Sequence, residues 1–104
     1  MVIVKLPGVL SFEWDKGNEQ KNWLKHKVTS EEAEEAFDDE YRLLAEDIKH
    51  ATRQEKRFIL FAKTPTSRKL IIAFTMRGKK VRIISARPMN RKEVIVYEKA
   101  LSAV

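Results

Sequence analysis

A chain of 104 residues with no cysteine is long enough to close one hydrophobic core and too short for two, and it can hold neither a disulfide frame nor a thiolate metal site. Hydrophobic residues at 43% beside 35% charged residues exclude a wholly disordered chain. The formal net charge of +6 is unevenly placed: residues 56–104 carry 13 Lys or Arg against 2 Asp or Glu, and residues 1–55 carry 8 against 13. That asymmetry favours a polyanionic partner, nucleic acid before an anionic membrane, against the plainer reading of a solvated basic surface. Met1 to Leu10 is broken by Lys5, Pro7 and Gly8 and reads as neither a signal peptide nor a membrane span, so a cytoplasmic domain is expected over residues 1–104.

Val9 to Trp14 reads as a short strand ending at Asp15, whose carboxylate can cap a helix from Lys16 to about Lys27. That helix is thinly apolar, with Trp23 and Leu24 as its main burial, and its polar side sets Lys21 and Lys25 near Asn18 and Asn22. Thr29 and Glu32 have capping-box spacing for a second short helix, in which Ala33, Ala36 and Phe37 form the core stripe before Asp38 and Asp39.

Strands follow at Tyr41 to Ala45, Arg57 to Lys63, Lys69 to Met76 and Lys80 to Ala86. Glu46 to Gln54 and Thr64-Pro65-Thr66-Ser67 form their connections, and Arg77-Gly78-Lys79 is a hairpin turn. The unbroken run Leu70 to Phe74 predicts a central strand covered on both faces. Pro88 closes the last strand, and Asn90 with Glu93 caps a helix running to about Leu101, with Val94, Tyr97 and Leu101 on one face. The expected fold is α+β, in the order β-α-α-β-β-β-β-α, with helices packed on one face of a four-stranded antiparallel sheet. The other face is left either solvated or for binding.

No metal-ligand spacing and no glycine-rich phosphate loop occur, so no metal or nucleotide cofactor is expected. The remaining groups suit metal-free RNA cleavage, which needs a base for the attacking 2′-hydroxyl, an acid for the leaving 5′-oxygen and fixed cations for the phosphorane. His26 and His50 could serve as either, Glu55 as base, Tyr97 or Lys25 as acid, and Arg57, Arg82 and Arg87 as the phosphate clamp. The segment from Lys79 to Arg87, with Lys80 beside it, sets these cations around a β-branched core strand, where they would be held for phosphate.

Each group also has a structural reading. Lys25 and His26 suit a helix C-terminus, Arg57 can pair with Glu55, and Tyr97 lies on an apolar helix face. In a regular strand Arg82 and Arg87, five apart, point to opposite faces; a bulge, or a strand ending before Arg87, would let them share one site. Trp14 and Trp23 read as core or partner-contact residues.

Phe12-Glu13-Trp14-Asp15, Lys21-Asn22, Lys25-His26, Glu31-Glu32-Ala33, Phe37 and Asp39 resemble the opening signature of the BrnT toxin family. Asp47 with His50, Glu55-x-Arg57, Arg82 to Arg87, Arg91, Glu93 and Tyr97 continue it in order, so the resemblance spans residues 12 to about 98. It implies a ribonuclease toxin of a type II toxin–antitoxin pair, with a RelE-like fold. It also implies translation inhibition by RNA cleavage, and a BrnA-like ribbon-helix-helix antitoxin that neutralises the toxin in a hetero-oligomer and binds operator DNA. Carried over with it are Lys25, His26, His50, Glu55, Arg57, Arg82, Ser85, Arg87 and Tyr97, with Lys21, Lys79, Lys80 and Ser85 expected to bind RNA. This chain departs from the family at Lys27, where a glycine is usual, at Ala62-Lys63-Thr64, where another glycine is expected, and at Pro88-Met89, where Lys-Ala is usual. The first ten residues precede the signature and read as an added strand or tail. A non-catalytic nucleic-acid or ribosome-binding module and a protein-interaction subunit are the rival readings.

Overall fold

The computed structural model describes residues 2–3 and 11–103, and the remaining N-terminal positions, including Val9 and Leu10 of the expected first strand, lie outside the described residues. In chain order the elements are β1 (Val2–Ile3), β2 (Ser11–Glu13), α1 (Lys16–His26), α2 (Ser30–Ala36), β3 (Leu43–Glu46), β4 (Arg57–Lys63), β5 (Lys69–Arg77), β6 (Lys80–Pro88) and α3 (Arg91–Ser102). The α+β class and the antiparallel meander β3 to β6 agree with the sequence reading. The sheet itself is larger and mixed: six strands in the order β1-β3-β4-β5-β6-β2. β2 lies parallel to β6, Phe12 opposite Val81, and β1 pairs antiparallel with β3. Strands of two and three residues leave too little alternation to be read as sheet edges.

The helix face of the sheet holds the core. Val28, Ala33, Ala36 and Phe37 pack on Leu44, Leu60, Ala62, Leu70, Ile72, Phe74, Val81, Ile83 and Ala86. An aromatic chain crosses this face: Phe12 to Phe37 at 5.2 Å, Phe37 to Phe74 at 5.1 Å, both edge-on, and Phe74 stacked on Phe58 at 5.4 Å. It fastens the edge strand β2 to the sheet centre through contacts that favour these offset geometries.

Both helices of this layer start on side-chain caps. Asp15 accepts from the Gly17 amide at 2.8 Å, and Thr29 Oγ1 from the Glu32 amide at 3.1 Å. The reciprocal half of the second box is replaced, because the Glu32 carboxylate takes Arg68 Nη1 at 2.7 Å. Arg68 also donates to the carbonyls of His26 at 2.8 Å and Lys27 at 2.7 Å, closing the C-terminus of α1. Lys27 itself sits at φ 54°, the left-handed conformation that glycine adopts without strain and a lysine does not.

α3 does not join this layer. It carries the complete capping box of Asn90 and Glu93. Its ion pairs run to Lys69 and Arg87 on the other side of the sheet, while the buried Tyr97 donates its hydroxyl to Asp39 at 3.2 Å.

β5 is fully covered on one face and only partly on the other, where its apolar run predicted cover on both. Leu70, Ile72 and Phe74 are fully buried against the helices, but Ile71 and Ala73 are half-buried on the opposite face. No helix among the described residues is long and apolar enough to cross a membrane.

Candidate functional site

The face turned away from α1 and α2 collects the basic half of the chain, and strand register shows how. Arg57, Thr75 and Arg82 stand opposite one another on β4, β5 and β6, with Glu13 of β2 continuing the row. Ile59, Ala73 and Ser85 make the next row, and Phe61, Ile71 and Arg87 the one after. Directly opposed residues project to the same side, so all three rows share this face, which is open around Ile59, Ala73 and Ser85 while Phe61 and Thr75 on it are buried.

That Arg82 and Arg87 both belong to it is the work of a bulge. The β5–β6 register steps from Ala73 opposite Ser85 to Phe74 opposite Ile83, leaving Ile84 without a partner. The extra residue restores the alternation out of phase: Val81 and Ile83 on one side of it and Ala86 on the other are all fully buried in the core. Arg82 and Arg87 therefore meet the condition that a regular strand would have denied them. Four residues of β5 separate their rows, about 13 Å at about 3.3 Å per residue.

Around the Arg82 end the cations face carboxylates from the acidic half. Arg82 lies 3.3 Å from Asp15 and 3.9 Å from Glu13, Arg77 lies 3.7 Å from Glu13, and Arg57 lies 3.7 Å from Glu55. Among the described residues the buried Arg57 Nε has no hydrogen-bond partner. Thr75, buried between the strands, gives its hydroxyl to the Lys56 carbonyl at 2.8 Å.

The loop leading into β4 adds a histidine. Asp47 donates its amide to the Arg57 carbonyl at 2.7 Å, and its carboxylate holds His50 Nδ1 at 2.7 Å and the His50 amide at 3.3 Å. Asp47 is mostly covered while the His50 side chain is 63% exposed, so a fixed carboxylate orients a solvent-facing histidine whose Nε2 has no hydrogen-bond partner among the described residues.

At the other end Arg87 is gripped on both terminal nitrogens by Glu93, each at 2.7 Å. This pair raises the guanidinium and, despite the opposing effect of burial, holds the Glu93 carboxyl below its ordinary value. α1 lies along the free edge of β6 beyond β2, where the buried Asn22 accepts the Ala86 amide at 3.1 Å. That contact brings Lys21, Lys25 and His26 beside Arg87. Desolvation first, then the charges of Arg87, Lys25 and Lys21, lower the His26 pKa.

The sequence-derived candidates thus fall into two groups. Glu55, Arg57 and Arg82, with His50 on the adjoining loop, lie at one end of the open face; Lys21, Lys25 and His26 of α1 lie near Arg87 at the β6 edge. Lys79 is exposed in the hairpin turn, Lys80 is exposed at the start of β6, and Ser85 stands half-buried between the groups. Tyr97 belongs to neither: it is buried against Asp39, and burial with that carboxylate pushes its hydroxyl up to about 12. Trp23 is not core either, being 48% exposed with Lys27 Nζ over its ring at 4.9 Å, whereas Trp14 packs on the core and donates Nε1 to Glu34 at 2.7 Å.

Sequence reasoning assigned no part of the site to Ile59, Ile71 and Ala73, which with Ser85 and Arg87 line a half-open depression of about 100 Å³. Their signal was present as apolar residues at both alternating positions of β4 and β5. Nor did it assign Asp15, Glu13 and Glu93 to the arginines they hold, although all three stand among the residues of the family resemblance.

Comparison with known proteins agrees with this architecture. A family model described as "Ribonuclease toxin, BrnT, of type II toxin-antitoxin system" matches residues 14–93. The 1.1 Å crystal structure of the Brucella abortus ribonuclease toxin BrnT is similar in fold, with a TM-score of 0.57 at 16% identity, covering 80% of this chain and 100% of that one. No curated protein matches the sequence.

Proposed function

The chain belongs to the BrnT family of ribonuclease toxins of type II toxin–antitoxin systems, and we propose that it cleaves RNA on the open face of the sheet without a metal ion. The observation that carries this reading is the Ile84 bulge, which sets Arg82 on the same face as Arg57 and Arg87. Two guanidiniums in one row, with their forks turned to one side of the sheet, suit a phosphorane whose negative charge grows in the transition state.

In this reading the 2′-hydroxyl attacks its own phosphodiester and the 5′-oxygen leaves, so the products are a cyclic phosphate and a free 5′-hydroxyl. Glu55, beside Arg57, accepts the 2′-hydroxyl proton. His50, with Nδ1 held by Asp47, supplies a proton from Nε2 to the departing oxygen. Arg57 and Arg82 exchange their surface carboxylates for the phosphate, a charge-assisted contact of the same geometry. Lys21, Lys25, His26 and Arg87 hold flanking RNA, and Lys79, Lys80 and Ser85 extend that contact. The fold is RelE-like and the action is cytoplasmic. Cleavage slows translation, and a BrnA-like ribbon-helix-helix antitoxin neutralises the toxin and carries the complex to operator DNA.

The test is cleavage of RNA in EDTA by the wild-type chain and by the Arg57→Ala, Arg82→Ala double variant. The double variant should be slower by about 100-fold or more, the effect of losing preorganised charge stabilisation. Equal rates would remove the clamp. A wild-type chain that cuts RNA only when Mg²⁺ is restored would remove the metal-free mechanism, and one that cuts in no buffer would remove the enzyme reading.

A further inference from the structure

We infer that the depression at the centre of the open face is a subsite for one unstacked nucleobase of single-stranded RNA. The inference rests on the proposal that RNA lies on this face, and it deepens that proposal by naming what reads the strand. The outward positions of a half-solvated antiparallel sheet are ordinarily polar. Here they are cationic at the ends and apolar in the middle. On β4 Arg57 and Lys63 stand at the ends of a row that holds the half-buried Ile59 and the buried Phe61, and on β5 Lys69 and Arg77 flank Ile71, Ala73 and the buried Thr75, as the register places them. Phosphates have no use for such a floor, and bases do, because a base offers an apolar ring face bounded by polar edges.

The dimensions fit one ring system. A volume of about 100 Å³ is well below the roughly 300–1,000 Å³ of pockets that enclose drug-sized ligands, so the depression is a seat for one small group and not an enclosure for a whole nucleotide. Ala73 supplies the depth: its methyl stands beside the larger Ile59 across the strand pair and Ile71 along its own strand, where a longer side chain would fill the space. Ser85 is the neutral polar side chain in the lining, and its hydroxyl can donate to or accept from a base edge. Arg87 closes the wall with its flat guanidinium, which stacks on bases as well as binding phosphate. The cations around the floor are held by carboxylates of the chain itself, Arg57 by Glu55, Arg77 by Glu13, Lys69 by Glu98 and Arg87 by Glu93, and the phosphate of a nucleotide offers them an anionic exchange partner that an apolar side chain of a protein does not.

The readout is independent of catalysis: methyl NMR of Ile59, Ile71 and Ala73 in the full chain, titrated with the four nucleoside 3′-monophosphates and separately with inorganic phosphate. The three methyls should shift with nucleotides and stay in place with phosphate. Ala73→Leu should weaken nucleotide binding by about tenfold, the loss of about 1.4 kcal/mol. Ser85→Ala leaves the floor intact and should flatten the differences in affinity among the four bases. Methyls that stay still with every nucleotide, or that shift equally with phosphate alone, would overturn the subsite. Wild-type chain that cuts RNA while the methyls stay still would overturn the base floor and leave the cleavage proposal standing. Methyls that respond to nucleotide in a chain that cuts no RNA would support the floor and overturn the cleavage proposal.

Discussion

Glu93 serves two neighbours at once, which gives the substitution Glu93→Gln opposite effects on stability and on RNA binding. Its Oε1 accepts the Asn90 amide at 2.8 Å to complete the cap of α3, and its two oxygens hold Arg87 at 2.7 Å each. Glutamine keeps the capping acceptor and the shape, and loses the charge. Because the Arg87 side chain is 37% exposed, solvent screening limits the ion pair to about 1 kcal/mol. The carboxylate in the first turn of α3 contributes a further ~0.5 kcal/mol against the helix dipole. A loss of about 1.5 kcal/mol corresponds to a fall in Tm of roughly 6–12 °C for a domain of this size.

The pH dependence follows from the direction of the Glu93 shift. Arg87 depresses the folded pKa, so the unfolded carboxyl takes up its proton first as the solution is acidified. The stabilisation is complete above the unfolded value of 4.5 and disappears as pH falls through the folded value, so the Tm gap between wild type and variant should close in acid. RNA binding should move the other way. With Glu93 neutral, Arg87 is free for phosphate, and the slope of log affinity against log salt should steepen by about 0.7, one counterion on a single strand. Fluorescence anisotropy over a salt series measures it. A variant with lower Tm but an unchanged or shallower slope would refute the assignment of Arg87 to RNA and leave it as a structural pair.

Lys27→Gly should raise stability in chemical denaturation by about 0.5 kcal/mol. Relief of the left-handed conformation at φ 54°, about 1 kcal/mol, exceeds the lost contact of Lys27 with Trp23, about 0.5 kcal/mol. A loss of stability would show that the Trp23 contact is the larger of the two. Tyr97→Phe should cost about 1 kcal/mol, the worth of its hydrogen bond to Asp39, and should leave RNA cleavage at the wild-type rate. A folded Tyr97→Phe chain that no longer cleaves would return this hydroxyl, for all its burial, to proton transfer.

What could be read from the sequence was local. The caps at Asp15, Thr29 and Asn90, the hairpin at Gly78 and the strand Arg57 to Lys63 each depend on a few adjacent residues, and all are present. β2 was readable as a strand but not as a parallel neighbour of β6, because Phe12 meets Val81 across 69 positions and nothing near either residue records it. The bulge at Ile84 was the harder case. Val81, Ile83 and Ala86 break strict alternation, but the run Val81 to Ala86 is apolar except at Arg82 and Ser85, so the phase change is masked by its own residues. The sequence posed the condition under which Arg82 and Arg87 could meet, and only the register answered it.

The charge asymmetry along the chain takes a different meaning once folded. Glu13 and Asp15 stand against Arg77 and Arg82, Glu32 against Arg68, and Glu55 against Arg57, so carboxylates of the acidic half cover arginines of the basic half. They cover them unequally. Glu32 meets Arg68 at 2.7 Å on the helix side, where the arginine closes α1, whereas on the open face the distances from Glu55, Asp15 and Glu13 lengthen to between 3.3 and 3.9 Å. Looser pairs in a more solvated setting are cheap to separate, each costing on the order of 1 kcal/mol or less. An incoming anion can therefore take Arg57 and Arg82 from their carboxylates at a small cost in free energy, and one that spans both guanidiniums gains more than one that meets a single arginine. If RNA lies on this face as proposed, the loose pairs leave Arg57 and Arg82 available to its phosphates, whereas the 2.7 Å pair with Glu32 keeps Arg68 at its structural post on the helix side.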